Sequence, residues 1–274
     1  KAIVTNDCNG YKTEWPIISV PDDYRKWYKE NFALSDKAWL APMNRSYAIK
    51  VAKDRGYRYL VQLDDNINQL RIAYRTESGY KPSGKVQQTF KHVEKNGTII
   101  NDMINMLIEI LRHTNCGMAG MSMCGASRPG AQYISENYCY SFFALDLQRV
   151  PETFQGGYED DIEYRLKLAQ MGIPCGQAQF MQYGKTSQGK NKDLSGCRKD
   201  YADAGISRGA HMRKLYGDVY KAGLRSRGNS LGAKDDTEFK YFHHKLSRVK
   251  LGILVRDRAG LDEKVGALLQ KYSE

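Results

Sequence analysis

Tyr59-Leu60-Val61-Gln62-Leu63-Asp64-Asp65-Asn66 is the stretch that decides the fold class. Five residues dominated by apolar side chains suit a short buried strand. The run stops abruptly on two carboxylates and an amide. Just upstream, Tyr47, Ala48, Val51 and Ala52 recur at helical spacing over 44–55, and Gly56 stands where a helix would stop. Helix, glycine, strand, acidic cluster is the order met in an α/β sheet, where ligands bind at the carboxyl ends of strands.

The same reading extends in both directions. Toward the N-terminus, residues 2–5 and 16–20 are short strand candidates. A helix is expected over 24–31, with an aspartate of Pro21-Asp22-Asp23 at its cap. Toward the C-terminus, residues 74–98 are polar and carry Gly79, Pro82, Gly84 and Gly97, which predicts a mobile loop. Residues 101–113 form an amphipathic helix with Ile104, Leu107, Ile108 and Leu111 on one face. The Gly-, Met- and Ala-rich stretch 116–128 is expected to run close to the site, and 138–145 is a strand candidate. Gly156-Gly157-Tyr158-Glu159-Asp160-Asp161 then opens a helix that runs to about Met171 and stops at Gly172. A strand is expected over 175–182 and a terminal helix over 261–272.

Composition narrows the classes further. The chain has 274 residues, 41% hydrophobic and 27% charged, enough for one large α/β domain or a domain with an appendage. No stretch approaches the roughly 20 apolar residues of a membrane span. Cys8, Cys116, Cys124, Cys139, Cys175 and Cys197 form no CxxC pair. That argues against a zinc site or a disulfide scaffold and predicts reduced thiols in a cytoplasmic protein. The first residue is Lys1, so targeting is left open. The net charge is +11, and residues 185–258 hold 18 Lys and Arg against 8 Asp and Glu. So concentrated an excess attracts a polyanion: nucleic acid, an acidic membrane surface or donor phosphates. The alternative is a solvated basic face.

Three motifs carry chemistry. Asp64 and Asp65 at a strand tip suit Mn²⁺ or Mg²⁺, which favour oxygen ligands and would neutralise a leaving diphosphate. The alternative is a pair of acids capping a turn. Glu159, Asp160 and Asp161 crowd carboxylates, which raises one pKa toward that of a working base; they equally suit the first turn of a helix. The loop Tyr183-Gly184-Lys185-Thr186-Ser187-Gln188-Gly189-Lys190 mixes glycines, hydroxyls and lysines and suits phosphate, with Lys185, Ser187 and Lys190 as contacts. It is not an NTPase P-loop, because Gln179 stands where that motif needs a glycine. Asn44 and Arg45 face the nucleotide or cap the adjoining helix. Trp15, Trp27 and Trp39 are expected in the core.

The two acidic motifs together resemble those of GT-A glycosyltransferases. Gly156 to Leu166 is similar to the acidic motif of β-1,4-galactosyltransferases. The resemblance implies a Rossmann-like mixed sheet flanked by helices, a metal motif borne by Asp64, Asp65 and Asn66, and a base among Glu159, Asp160 and Asp161, with Asp160 the first choice. A third metal ligand from the C-terminal side is common in that class, with His211 ahead of His243 and His244. Asn66 departs from the pattern, standing where a third acid is usual. The chain as a whole resembles the phage TET-associated glycosyltransferases, which modify hydroxymethylated pyrimidines in DNA.

The expected architecture is therefore an α/β GT-A core over 1–182 with a basic helical extension over 183–274 that binds acceptor or phosphate. The expected reaction moves a sugar from a UDP-sugar, with Mn²⁺ or Mg²⁺, to hydroxymethylated DNA in the cytoplasm, that of the host if the protein is phage-encoded. A protein or glycan acceptor, or an inert DNA-binding module on the same scaffold, are the alternatives.

Overall fold

A computed structural model describes residues 1–5, 13–33, 39–64, 66–79, 86–95, 99–124, 133–153, 160–185, 208–224, 242–245 and 250–273. The chain divides into two compact units that interleave along the sequence. One comprises Lys1–Arg58, Pro151–Gln170 and Gln188–Val249; the other comprises Tyr59–Val150, Met171–Ser187 and Lys250–Glu274. Among the described residues no helix is long and apolar enough to cross a membrane.

The second unit holds the sheet that the opening stretch foretells. Its strands are β3 (Tyr59–Leu63), β4 (Ile67–Gly79), β5 (Val86–Lys95), β6 (Met118–Met123), β7 (Ile134–Glu136), β8 (Phe142–Asp146) and β9 (Cys175–Lys185), in the order β3-β8-β6-β9-β4-β5, with β7 also paired to β9. Only β6 and β9 pair in parallel, and every other pairing is antiparallel. The sheet is mixed, and helices flank it. This is the α/β architecture expected, consistent with a GT-A-like fold. Because β3 and β6 both run against β8, the strands β3, β6 and β9 point the same way. Their carboxyl ends meet the amino ends of β8 and β4 along one edge.

The helix α3 (Ile100–His113) covers the sheet with Met103, Met106, Leu107, Ile110 and Leu111, all buried. The stripe is turned by about one residue from that read in the sequence: Ile104 and Ile108 are only partly buried. The last helix, α6 (Arg258–Lys271), adds Leu261, Val265 and Leu268 to the same core. Asp257 caps it by accepting from the Gly260 amide at 2.9 Å.

The first unit pairs β1 (Ile3–Thr5) with β2 (Ile17–Ser19) in parallel. It also contains α1 (Asp22–Phe32), α2 (Leu40–Asp54), α4 (Asp160–Gln170), α5 (Arg208–Tyr216), and β10 (Lys221–Leu224) paired antiparallel with β11 (Phe242–Lys245). Tyr28, Trp39 and Met43 form an apolar cluster against Val20. Gly56 and Gly172 follow α2 and α4 at φ +73° and +72°, the left-handed termination that glycine permits.

Several local expectations are corrected. Residues 74–98 do not begin as a loop: β4 and β5 form a hairpin that extends beyond β4's pairing with β9, in register from Leu70↔Lys95 to Gly79↔Val86. The stretch is mostly polar and carries no sustained apolar alternation, so its composition concealed the strands. The helix α2 starts at Leu40, with Trp39 at its N-cap and no side-chain cap bond, which puts Asn44 and Arg45 inside the helix and removes the capping alternative. The N-cap of α1 is Pro21, with Asp22 and Asp23 in the first turn, where they favour the helix dipole. The strand expected over 138–145 narrows to β8. Of the three tryptophans only Trp39 is buried; Trp15 and Trp27 are 47% and 42% exposed.

Candidate active site

The carboxyl ends of β3, β6 and β9 are the first place to look for chemistry. Asp64 follows β3 directly, and its amide donates to the carbonyl of Ser141 at 2.8 Å. Lys185 is the last residue of β9, opposite Ile67 at the start of β4. A register shift between Ile67 and Gln69 lies beside it, and a Cβ at neighbouring Gly184 would come within 3.0 Å of the Gln69 side chain. The lysine is thus carried by a closely packed strand pair and not by a free loop. Its Nζ donates to Ser141 Oγ at 2.7 Å and stands 3.8 Å from Asp64 Oδ2. The side chains of Lys185 and Asp64 are 22% and 26% exposed, within reach of a ligand.

Asn66 lies on the same turn and is exposed. Asp65, Ser187 and Lys190 lie outside the described residues, as does the rest of the expected phosphate loop beyond Lys185. The structure therefore brings Asp64 and Lys185 together and adds Ser141, which sequence reasoning missed. Serine between aromatic neighbours, in a stretch read as strand, gives no signal of its own.

The second acidic motif belongs to the other unit. Asp160 and Asp161 open α4 as expected, and Asp161 Oδ1 accepts from the Ile162 amide at 2.8 Å. Glu159 lies outside the described residues. The helix is anchored along its length: Tyr164 donates its hydroxyl to Pro151 O at 2.9 Å, and Lys167 donates to Thr153 O at 3.0 Å. Burial lowers the Lys167 pKa. Glu163 and Arg165 on α4 have no solvent exposure at all. His211 on α5 places Nε2 3.1 Å from Glu163 Oε1. Tyr216 is buried near by, and burial, followed by the charges of Glu163 and Tyr28, drives its phenol well above the ordinary range. It stays protonated at neutral pH and is no candidate for a base. Burial and then the charge of Glu152 push Tyr24 up to about 12. Asn44 and Arg45 on α2 are half-buried within this unit.

The fit to a divalent cation can be tested on these contacts. Mn²⁺ and Mg²⁺ need several hard oxygen donors from protein and substrate. The described part of the strand end offers one carboxylate, Asp64, and it faces an ammonium. Among the described residues no group of three or more His, Cys, Asp or Glu could hold a metal ion. His211 is turned to Glu163, and of His243 and His244 only the place on β11 is described. The described donors do not compose a cation site.

A family model described as TET-Associated Glycosyltransferase matches residues 6–192. No curated protein matches the chain, and no solved structure matches it. The matched span contains both acidic motifs and all of the sheet strands, β3 to β9.

Proposed function

The chain belongs to the TET-associated glycosyltransferase family and is a glycosyltransferase, and on that premise we propose that it moves a sugar from a UDP-sugar to the hydroxymethyl group of a modified pyrimidine in DNA. The observation that carries the acceptor is the charge of residues 185–258, 18 Lys and Arg against 8 Asp and Glu. A neutral glycan offers no charge to such a segment and an ordinary protein surface only scattered carboxylates, whereas DNA offers a phosphate every few ångströms. The donor is supported by the strand end where Lys185 and Asp64 stand beside Ser141. A cation at the carboxyl edge of an α/β sheet suits a diphosphate.

In this reading the hydroxymethyl oxygen attacks the anomeric carbon. The bond from that carbon to the nucleoside diphosphate breaks, and the hydroxyl proton passes to a carboxylate. Asp160, at the first position of α4, is assigned that proton, with Asp161 and Glu159 its neighbours. Asn44 and Arg45 are assigned to the nucleotide, as are Ser187 and Lys190 with Lys185. A target base that must expose its hydroxymethyl group would leave the stack, which costs a few kcal/mol in a paired duplex.

The test is nucleotide release from a panel of UDP- and GDP-sugars, in Mn²⁺, Mg²⁺ or EDTA, with and without hydroxymethylcytosine or hydroxymethyluracil DNA. Release should rise with the modified DNA and fall by about 100-fold or more in Asp160→Asn, the scale of general-base loss. Release that ignores DNA keeps the glycosyltransferase and discards this acceptor in favour of a protein or glycan.

A further inference from the structure

Ser141 is the most unusual residue of the strand end. It is the one non-glycine residue at positive φ among the described residues, at +37°, and it is 1% exposed. Around it Phe142 N donates to Tyr140 O, a three-residue γ-type turn of a rare and strained kind. Such conformations are costly and persist only where the surroundings over-determine them. Here β8 fixes one side through Phe142. On the other side the rings of Tyr138 and Tyr140 stack at 5.9 Å.

What the turn achieves is visible in its two polar groups. The carbonyl of Ser141 takes the amide of Asp64 at 2.8 Å, and its hydroxyl takes Lys185 Nζ at 2.7 Å. One strained residue therefore sets the position of both charges at the strand end. An ion pair of 3.8 Å between partly exposed groups stabilises a fold little, and would not by itself call for such a turn. A fixed ammonium is another matter. It has three protons to give; Ser141 takes one and Asp64 lies near a second. The remainder can meet an arriving anion without reorganisation. A dication bound on Asp64 would instead stand within a few ångströms of that ammonium. At such a distance even two single positive charges repel strongly, and a dication would double the repulsion.

We infer that Lys185, aimed by Ser141, is the resident cation for the donor diphosphate, and that Asp64 serves as its counter-ion and not as a metal ligand. The inference rests on the proposed use of a nucleotide-sugar donor. Lys185 would contact the diphosphate oxygens; Ser141 is a positioning residue that acts through it.

The experiment is UDP and GDP titration of the full chain by calorimetry, in EDTA and in Mn²⁺, with melting temperatures measured on every variant. The wild type should bind a nucleoside diphosphate in EDTA. Lys185→Met should weaken that binding about 10- to 100-fold, the scale of a charged hydrogen bond, and Lys185→Arg should restore part of it. Ser141→Gly separates position from stability: it relieves the turn, so the melting temperature holds or rises, while affinity falls several-fold with the hydroxyl gone. Asp64→Asn, which removes a negative charge facing the arriving diphosphate, should raise affinity in EDTA several-fold. Binding that needs Mn²⁺ and vanishes in Asp64→Asn, or that Lys185→Met leaves untouched, overturns the inference and keeps the donor. A wild type that binds neither nucleotide in either condition removes the donor reading, and the inference with it.

Discussion

Glu163 has no solvent exposure, and His211 stands against it with Nε2 at 3.1 Å. His211→Ala removes this hydrogen bond to a buried carboxylate and should lower stability by about 1–3 kcal/mol, equally in EDTA and in Mn²⁺. A wild type that gains stability from Mn²⁺, with the gain lost in the variant, would return His211 to the metal role implied by the family resemblance. The two residues differ in how far the sequence exposed them. Glu163 lay inside the quoted motif, at a helical position with no sign of burial, because the apolar residues around it are spaced irregularly. Ser141 could not be read at all. Its importance lies in a backbone angle, and a serine, unlike a glycine, gives no notice of positive φ.

At the scale of elements, one side chain gathers three carbonyls at and just beyond the C-terminus of α3. Arg149 Nη1 donates to the carbonyls of Leu111, Thr114 and Cys116 at 3.1, 3.0 and 2.7 Å. Its Nε lies 3.2 Å from the buried carboxylate of Asp146. A cation at a helix C-terminus also meets the dipole favourably. Arg149→Met should cost about 3 kcal/mol by the measure of a broken buried pair and lower the melting temperature by roughly 6–12 °C. A loss under about 1 kcal/mol, within the range of a surface pair, would mean that the carbonyls and Asp146 are satisfied by other means. At its other end α3 is tied to α6: the Lys271 ammonium lies 2.6 Å from Asp102, and the Tyr272 hydroxyl donates to the same carboxylate. These bonds, Lys271 first, hold Asp102 below the usual carboxylate range. A carboxylate depressed in the folded state stabilises it above the unfolded pKa, and that contribution fades as pH falls through the folded value. The stability difference between wild type and Asp102→Asn, about 1 kcal/mol at neutral pH for so exposed a pair, should begin to shrink below about pH 4 and go on shrinking through the depressed folded value. Urea unfolding at pH 7, 5 and 3 measures it, and a difference as large at pH 3 as at pH 7 would assign it to packing. The helices α1 to α4 and α6 and most core strands were legible because period and stops agree: Gly56 and Gly172 end helices where the sequence said they would. The hairpin β4–β5 was not, since its mostly polar stretch leaves no sustained period to read.

At the scale of the molecule, the sequence reads as a core followed by a basic extension, and that division left the interleaving unseen. Contacts that return late in the chain, such as Leu261 and Val265 to the core under α3, leave no local trace in composition. Charge is legible in the sequence, and it makes the last prediction. The excess of residues 185–258 within a net charge of +11 should act through released counterions if the acceptor is DNA. Each phosphate neutralised contributes about −0.9 to the slope of log K against log salt on duplex DNA. Engagement of even half the ten-charge excess implies a slope near −4 to −5, hence a loss of several hundred-fold in affinity between 50 and 200 mM salt. Fluorescence anisotropy with a labelled duplex measures this directly. The slope should be the same for unmodified and hydroxymethylated duplexes, because phosphates carry no sequence or modification signal. Any preference for the modified duplex should appear as a constant offset between the two lines. A slope shallower than about −1, equivalent to a single phosphate, would leave the basic segment as a solvated face. The acceptor would then be sought among glycans or proteins.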